Sequence, residues 1–511
     1  MEERRKNVLI VGAGEAGGML MREIIKHPEL GYFPVGFIDD DLILQGARPW
    51  GLPVLGDRGT LAEVVRARGV ELVFIAIPSA PGEVVRQYVK LSKAAGVAFR
   101  IVPGVYELLD GNVKVEMVRE VRLEDLLRRT PAKINLEEMA AAIYRQTVLV
   151  TGAGGSIGAE LVRQIAQYGP GRILLLGQGE NSLYRIQLEL KELFPRLEAN
   201  PVIVSVQDQA KILYLFRTER PALVFHAAAH KHIHYMEAYP EEAVKNNVGG
   251  TLNLLLASRE AGVQHFINIS TDKAVRPSSS YGASKRVGEM LTTSLARCCG
   301  LPYATVRFGN VLGSTNSVVP LFQRQIRRGG PITITDPRME RYFMTIGEAV
   351  QLIIQAAVLG TGGEIFILDM GQPIRIAELA EELIHLSGLS PGRDIKIETC
   401  GLRPGEKLTE ELFEAEEEWE ETGRERIRMI KKPTAMPWEA LERQVQDLLE
   451  AATGKRQPGS SGGTLEKDSP FREKTDRLLP DEEKSLATAG QIDRERIEKI
   501  FRALIPTMER V

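Results

Sequence analysis

Two stretches of the chain share one pattern: an apolar run, a glycine-rich turn, then the start of an amphipathic helix. They are NVLIVGAGEAGG (7–18) and QTVLVTGAGGSIGAEL (146–161). A turn of this kind between a buried strand and a helix gathers backbone N–H groups and the positive helix end at one point, which suits an anion. Short β-rich runs alternate with helical stretches around each. In the first segment they are PVGFIDDD (34–41), VELVFIAIPSA (70–80) and VAFRIVP (97–103). In the second they are RILLLG (172–177), PVIVSV (201–206), ALVFHAA (222–228), HFINIST (265–271) and YATVRFG (303–309). Strands separated by helices need crossover connections, hence a parallel sheet covered on both faces. The expected fold is α/β, with two tandem Rossmann-type doubly wound parallel sheets.

With 511 residues, more than one core is expected. The first unit spans 1–127, and a linker with a short helix, INLEEMAAAIYR, spans 128–145. The second unit runs from 146 to 432, its cofactor part to about 309 and a smaller C-terminal substrate lobe over 310–432. Residues 433–511 read as a flexible tail, polar and rich in Gly and Pro over 454–485, with a possible terminal helix at 492–505.

Sixty-five basic and 68 acidic side chains give a net charge of -3, which offers no field to recruit nucleic acid. Three cysteines, Cys298, Cys299 and Cys400, make neither a disulfide framework nor a metal spacing. No apolar run reaches the ~18 residues of a membrane span. MEERRK leads straight into the first strand, leaving no room for a signal peptide. These features point to a cytoplasmic enzyme or binding protein.

The second turn reads TGxxGxxG. Gly152, Gly155, Ser156, Ile157 and Gly158 are its expected pyrophosphate cradle, with Ala227 beyond a later strand facing the same cofactor. Neither an acid for a ribose 2′-hydroxyl nor an arginine for a 2′-phosphate stands at the end of the next strand, so NAD and NADP both stay open. Asp208 is an adenine-contact candidate or a solvated loop acid. The first turn is a full GxGxxG with Gly12, Gly14 and Gly17, and Asp39 stands where a ribose acid would be. It reads either as a second nucleotide site or as an inherited fold used for docking or regulation.

The stretch NISTDKAVRPSSSYGASKR (268–286) places Tyr281 and Lys285 at i and i+4 on one helix face. A nearby ammonium lowers a phenol pKa, which suits Tyr281 to take a proton from a sugar hydroxyl as hydride leaves. Thr271 ends the preceding strand and can hold the same hydroxyl. Asp272 and Lys273 follow directly, an acid–base pair for which a simple dehydrogenase has no use.

Together with VTGAGGSIGAEL, HAAAHKHIHYMEAYPEEAVKNNVGGT, ISTDKAVRP, RFGNVLGS, RYFMTIGEA and GLRPGEKLTEELF, this stretch resembles the extended short-chain dehydrogenase/reductases. Within them it is similar to the capsular-polysaccharide (CapD-like) UDP-sugar 4,6-dehydratases, over residues 7 to 430. The resemblance implies oxidation at C4 with Tyr281 as base, removal of the C5 proton by Lys273, protonation of the departing C6 hydroxyl by Asp272, and hydride return to C6. It implies a tightly bound, recycled NAD or NADP and a UDP-N-acetylhexosamine substrate, UDP-GlcNAc first. Long members commonly carry N-terminal membrane helices ahead of the first unit, and this sequence begins where those would end, which leaves a soluble form and a trimmed one both open. Those members often carry Met where this chain has Tyr281, which leaves the stereochemistry at C5 open.

Four histidines, His226, His230, His232 and His234, cluster without a cysteine, so no metal is expected. His230 and Lys231 are placed in the sugar pocket, and Asn246 and Asn247 in a backbone-tying role. Asn310, Arg341 and Arg403 are candidates for gripping the UDP, with Glu406 either beside them or ordering the RPGEK loop. Two alternatives stay open, a UDP-sugar 4-epimerase and a nucleotide-sensing or scaffold protein. A homo-oligomer built through long helices is expected.

Overall fold

The computed structural model describes residues 5–104, 113–127, 129, 135–314, 317–431, 433, 435–454 and 492–509. The N-terminal unit holds a four-stranded parallel sheet in the order Tyr32–Ile38, Lys6–Val11, Leu72–Ile75, Ala98–Ile101. Val8 to Val11 are wholly buried because helices cover both faces. Alternate residues serve opposite sides. Leu9 and Val11 pack on Val64, Val85 and Val89, while Val8 and Ile10 pack on Leu20, Met21 and Ile24.

The second unit is built on a nine-stranded sheet. Its order is Trp419–Glu421, Ile427–Ile430, Ile365–Leu368, Tyr303–Arg307, His265–Ile269, Leu223–His226, Thr147–Thr151, Arg172–Gly177, Glu198–Ile203. The last seven are parallel, and the first two form an antiparallel edge. The chain runs outward from Thr147–Thr151 in one direction and then, from Leu223–His226, in the other. That reversal opens a crevice between these two strands at their carboxyl ends.

The helix Ser280–Cys299 is buried at every position from Tyr281 to Ala296. The helices Trp438–Thr453 and Arg494–Leu504 cover it, with Trp438, Leu441, Val445 and Phe501 in one cluster with Val287, Leu291 and Leu295. The flexible tail expected from 433 is corrected at Trp438–Thr453, which buries an apolar stripe, while Arg494–Leu504 falls where a terminal helix was expected. Residues 455–491, where most of that tail was expected, lie outside the described residues.

The first unit docks on the substrate lobe. Leu123, inside the expected first domain, sits in the lobe's core with Leu312, Phe343 and Leu383. Lys93 Nζ donates to the His385 carbonyl at 2.8 Å, and in the linker Arg129 donates to Glu348 Oε1 at 2.9 Å and to the Asp369 carbonyl at 2.6 Å. Among the described residues no helix is long and apolar enough to cross a membrane.

Candidate active site

A cavity of about 560 Å³ opens at the crevice, walled by the glycine turn, residues 227–232, the end of the strand His265–Ile269 and the start of the central helix. Gly152 has φ +66°, and a Cβ there would sit 2.9 Å from the Ala228 nitrogen. A Cβ on Gly158 would come within 2.1 Å of the Gly152 carbonyl oxygen. Only glycine lets the turn close this tightly on its helix, which is what a dinucleotide pyrophosphate requires of the backbone. Gly158→Val is expected to cost about 1–3 kcal/mol from overpacking alone, read as a lower midpoint in a thermal melt.

Thr271 ends its strand and caps the short turn Asp272–Ala274. Its hydroxyl donates to Asp272 Oδ1 at 2.9 Å and lies near the Tyr281 phenol. Lys273 Nζ donates to Asp272 Oδ1 at 2.8 Å and to Asn310 Oδ1 at 3.2 Å, with Glu410 Oε1 at 3.8 Å. Burial disfavours the Lys273 charge, but the Asp272 and Glu410 carboxylates outweigh it and hold the ammonium above its usual range. Asp272 is fully buried, and its Oδ2 has no hydrogen-bond partner among the described residues.

Burial pushes the Tyr281 phenol up, opposed by the Lys273 charge and the Thr271 hydroxyl. The expectation that Lys285 lowers this phenol is corrected: burial prevails, and the cation acting on it is Lys273. Burial also lowers Lys285 to about 8, with Glu289 pulling the other way.

The structure sorts the other candidates. Ser156, Ile157, Ala227, His230, Lys231 and Asn310 border the cavity with Gly152, Gly155 and Gly158. Asn247 clamps the His230 backbone, accepting from its N–H at 2.8 Å and donating to its carbonyl at 3.0 Å. Asn246 donates to Asn247 Oδ1 at 3.0 Å, so Asn247 has the expected backbone-tying role and Asn246 supports its side chain. Arg341, Arg403, Glu406 and Asp208 do not border the cavity. Arg341 spends its guanidinium on the carbonyls of Glu340, Lys407 and Leu408 and faces Glu410 at 3.7 Å, so it anchors a loop rather than presenting a free fork. Arg403 is exposed, and Glu406 Oε2 accepts from its backbone N–H at 3.3 Å, ordering that turn. Asp208 caps the helix Gln209–Glu219 by accepting from the Lys211 N–H.

The histidines do not converge. His226 is pinned between Thr151 Oγ1 at 2.8 Å and Thr251 Oγ1 at 2.9 Å, and burial lowers its pKa well below the usual range. Among the described residues no cluster of three or more His, Cys, Asp or Glu is placed to hold a metal. In the N-terminal unit Gly12, Gly14 and Gly17 form the turn, but Asp39 Oδ2 already accepts from the Ala13 N–H at 2.7 Å. Trp50 Nε1 donates to the Ala13 carbonyl at 3.0 Å, and the Trp50 ring lies against Gly18.

Sequence reading missed a buried ionic group behind the cavity. Arg307, wholly buried, donates to Glu289 at 2.8 and 3.1 Å and to Glu417 at 2.9 Å. Arg286 donates to Glu289 at 3.0 Å, and Ser270 Oγ donates to Glu289 Oε1 at 2.6 Å. Despite burial, Arg307 and Arg286 hold Glu289 down at about 2. The one hint in the sequence was its place four residues after Lys285, on the same helix face. Glu410 was also missed, although it lies in the KLTEELF motif.

The family described as "Polysaccharide biosynthesis protein" matches residues 148–432. The chain belongs to this family. The match bears out the resemblance to extended short-chain dehydrogenase/reductases of capsular-polysaccharide type. A second family, described as "CoA-binding domain", matches residues 1–103. The probable polysaccharide biosynthesis protein EpsC of Bacillus subtilis is 43% identical over 86% of this chain and 74% of its own length. The capsular polysaccharide biosynthesis protein CapD of Staphylococcus aureus is 43% identical over 81% of this chain and 69% of its own. An inverting UDP-N-acetylglucosamine 4,6-dehydratase of Campylobacter jejuni is 32% identical over 53% of this chain and 79% of its own. Among solved structures, Pen from Bacillus thuringiensis is 32% identical, with a TM-score of 0.53, over 58% of this chain and 92% of that one.

Proposed function

We propose that the chain is a nucleotide-sugar 4,6-dehydratase of surface-polysaccharide synthesis, acting on a UDP-N-acetylhexosamine with UDP-GlcNAc the first candidate. One observation carries the reading: Lys273 borders the cavity with Thr271 and Tyr281 and is hydrogen-bonded to the fully buried Asp272, whose second oxygen has no partner among the described residues. The 4,6-dehydratase relative from Campylobacter jejuni supports it.

A nicotinamide cofactor, NAD or NADP, would supply reversible hydride acceptance, taking hydride from C4 and returning it to C6, so no external oxidant is consumed. Gly152 to Gly158 would hold its pyrophosphate and Lys285 its ribose. Tyr281, beside Thr271, takes the proton of the C4 hydroxyl in its phenolate form, which the Lys273 charge favours against burial. The resulting ketone acidifies C5, whose proton goes to Lys273, while Asp272 protonates the C6 oxygen and water leaves. Lys273 is held as an ammonium, so it must first give up a proton. The 2.8 Å hydrogen bond to Asp272 is the route, and the same transfer makes Asp272 the acid. After Lys273 returns its proton to C5, the proton on Tyr281 resets the pair.

Mass spectrometry of the nucleotide sugar after incubation tests the reading. A product lighter by one water is expected. Unchanged mass with a sugar epimeric at C4 favours the second reading, for which UDP-glucose 4-epimerases of Rickettsia, 39% identical over 38% of this chain, are the support. Cofactor affinity has its own pH signature. Lys285 loses its charge above about 8, so binding is expected to weaken as pH rises from 7 to 9, by at most about tenfold per unit beyond that point. Fluorescence titration across that range reads it, and flat affinity would remove Lys285 from the ribose contact.

A further inference from the structure

A second cavity, of about 540 Å³, lies between the N-terminal unit and the catalytic unit. One wall is Pro78 and Gly104, which follow the strands Leu72–Ile75 and Ala98–Ile101 at their carboxyl ends. That is the side on which open parallel sheets take ligands. The facing wall includes Gly155 and Ser156, which also border the first cavity. Nothing in the chemistry above uses this space.

Its charge and shape limit what it can take. Five arginines and four acids line it, an excess of positive charge. Three of the arginines are already satisfied: Arg119 by Asp125 at 2.7 Å, Arg129 by Glu348 at 2.9 Å, and Arg163 by Glu189 at 3.0 Å. Arg122 and Arg185 stand exposed at the rim, one on each unit, and their guanidinium groups make no hydrogen bond among the described residues. An exposed guanidinium on each unit suits phosphate oxygens. Ile186, Leu312 and Ile346 add apolar lining. The volume falls in the range of small-molecule sites, about 300–1,000 Å³.

We propose that this interdomain cleft binds a nucleoside phosphate distinct from the catalytic cofactor, and that its occupancy is felt at the shared glycine turn. Phosphates on the two sides of one turn repel, so each ligand weakens the other, and by linkage the factor is the same in both directions. The N-terminal unit thereby becomes a sensor of nucleotide level, with Arg122 and Arg185 as its anion contacts.

The test uses the full chain loaded with saturating cofactor and titrated calorimetrically with ADP and, separately, with UDP. One equivalent of ADP, or one equivalent of UDP beyond the one taken by the first cavity, is expected, and the productive probe tells whether an adenosine or a uridine phosphate is the natural source. The double variant Arg122→Glu/Arg185→Glu is expected to weaken that extra binding by about tenfold or more, with an unchanged thermal melt and one equivalent of cofactor still bound. In the unaltered chain, filling the cleft is expected to weaken cofactor binding by roughly fivefold or more. No extra equivalent with either probe overturns the proposal. So does extra binding that the charge reversal leaves untouched, or binding seen only as displacement of the cofactor. The outcome is independent of which sugar reaction the first cavity performs.

Discussion

Lys273→Met is expected to lower dehydration turnover by roughly 10²–10⁴-fold, the range lost with a general acid–base group. Methionine keeps the length of the side chain and removes both the charge and the exchangeable proton. C4 oxidation uses Tyr281 and Thr271; losing the Lys273 charge leaves the phenol higher, so this first half of the reaction slows but persists, and is best read at raised pH. Reduced nicotinamide should therefore accumulate in the variant when sugar is added, visible by its absorbance, while deuterium fails to enter C5. A variant merely misfolded would lose oxidation and elimination together. Loss of both, in a chain with an unchanged melt, would move Lys273 out of the elimination step.

The second large effect falls on stability. Glu289 sits wholly buried among Arg307, Arg286 and Ser270, and Glu417 and Glu414 complete a set of three acids and two guanidinium groups. Glu289→Gln keeps the shape and removes the one carboxylate to which both guanidinium groups and Ser270 donate. Breaking one partner out of such a group costs about 3–5 kcal/mol. Denaturant unfolding should show that loss in the midpoint. The loss also reaches the candidate active site, because Ser270 adjoins Thr271 and because Glu289 raises Lys285 against burial. The pH at which cofactor affinity falls should therefore move below its value in the unaltered chain. An unchanged midpoint would show that the network contributes nothing net.

Much of this was legible from residue order. Arg172–Gly177 ran as an unbroken apolar strand because both sheet faces are covered, and the structure has it with the same bounds. TGxxGxxG and the Thr271, Tyr281 and Lys285 set come together because local spacing alone puts them at strand ends and on one helix face. What escaped was long-range. PVIVSV was read as 201–206, but the strand runs Glu198–Ile203, since edge pairing with Arg172–Gly177 rather than apolar content sets its register. Arg341 looked like a phosphate fork, and only the approach of residues 407–410 explains why its guanidinium is spent. The helix Trp438–Thr453 was lost to the polar stretch after it, though its stripe of Leu441, Val445 and Leu448 keeps helical spacing. Asp39 could be placed beside the first turn from sequence, but not the fact that it takes the Ala13 N–H itself.

The most direct measurement is proton NMR of UDP-GlcNAc incubated with the chain and cofactor in D2O, beside Lys273→Met. The account predicts a new C6 methyl signal, deuterium at C5, and loss of both in the variant, with the coupling pattern reporting retention or inversion at C5. Interconversion at C4 with C6 untouched, or a C6 methyl that forms equally well without Lys273, would contradict it.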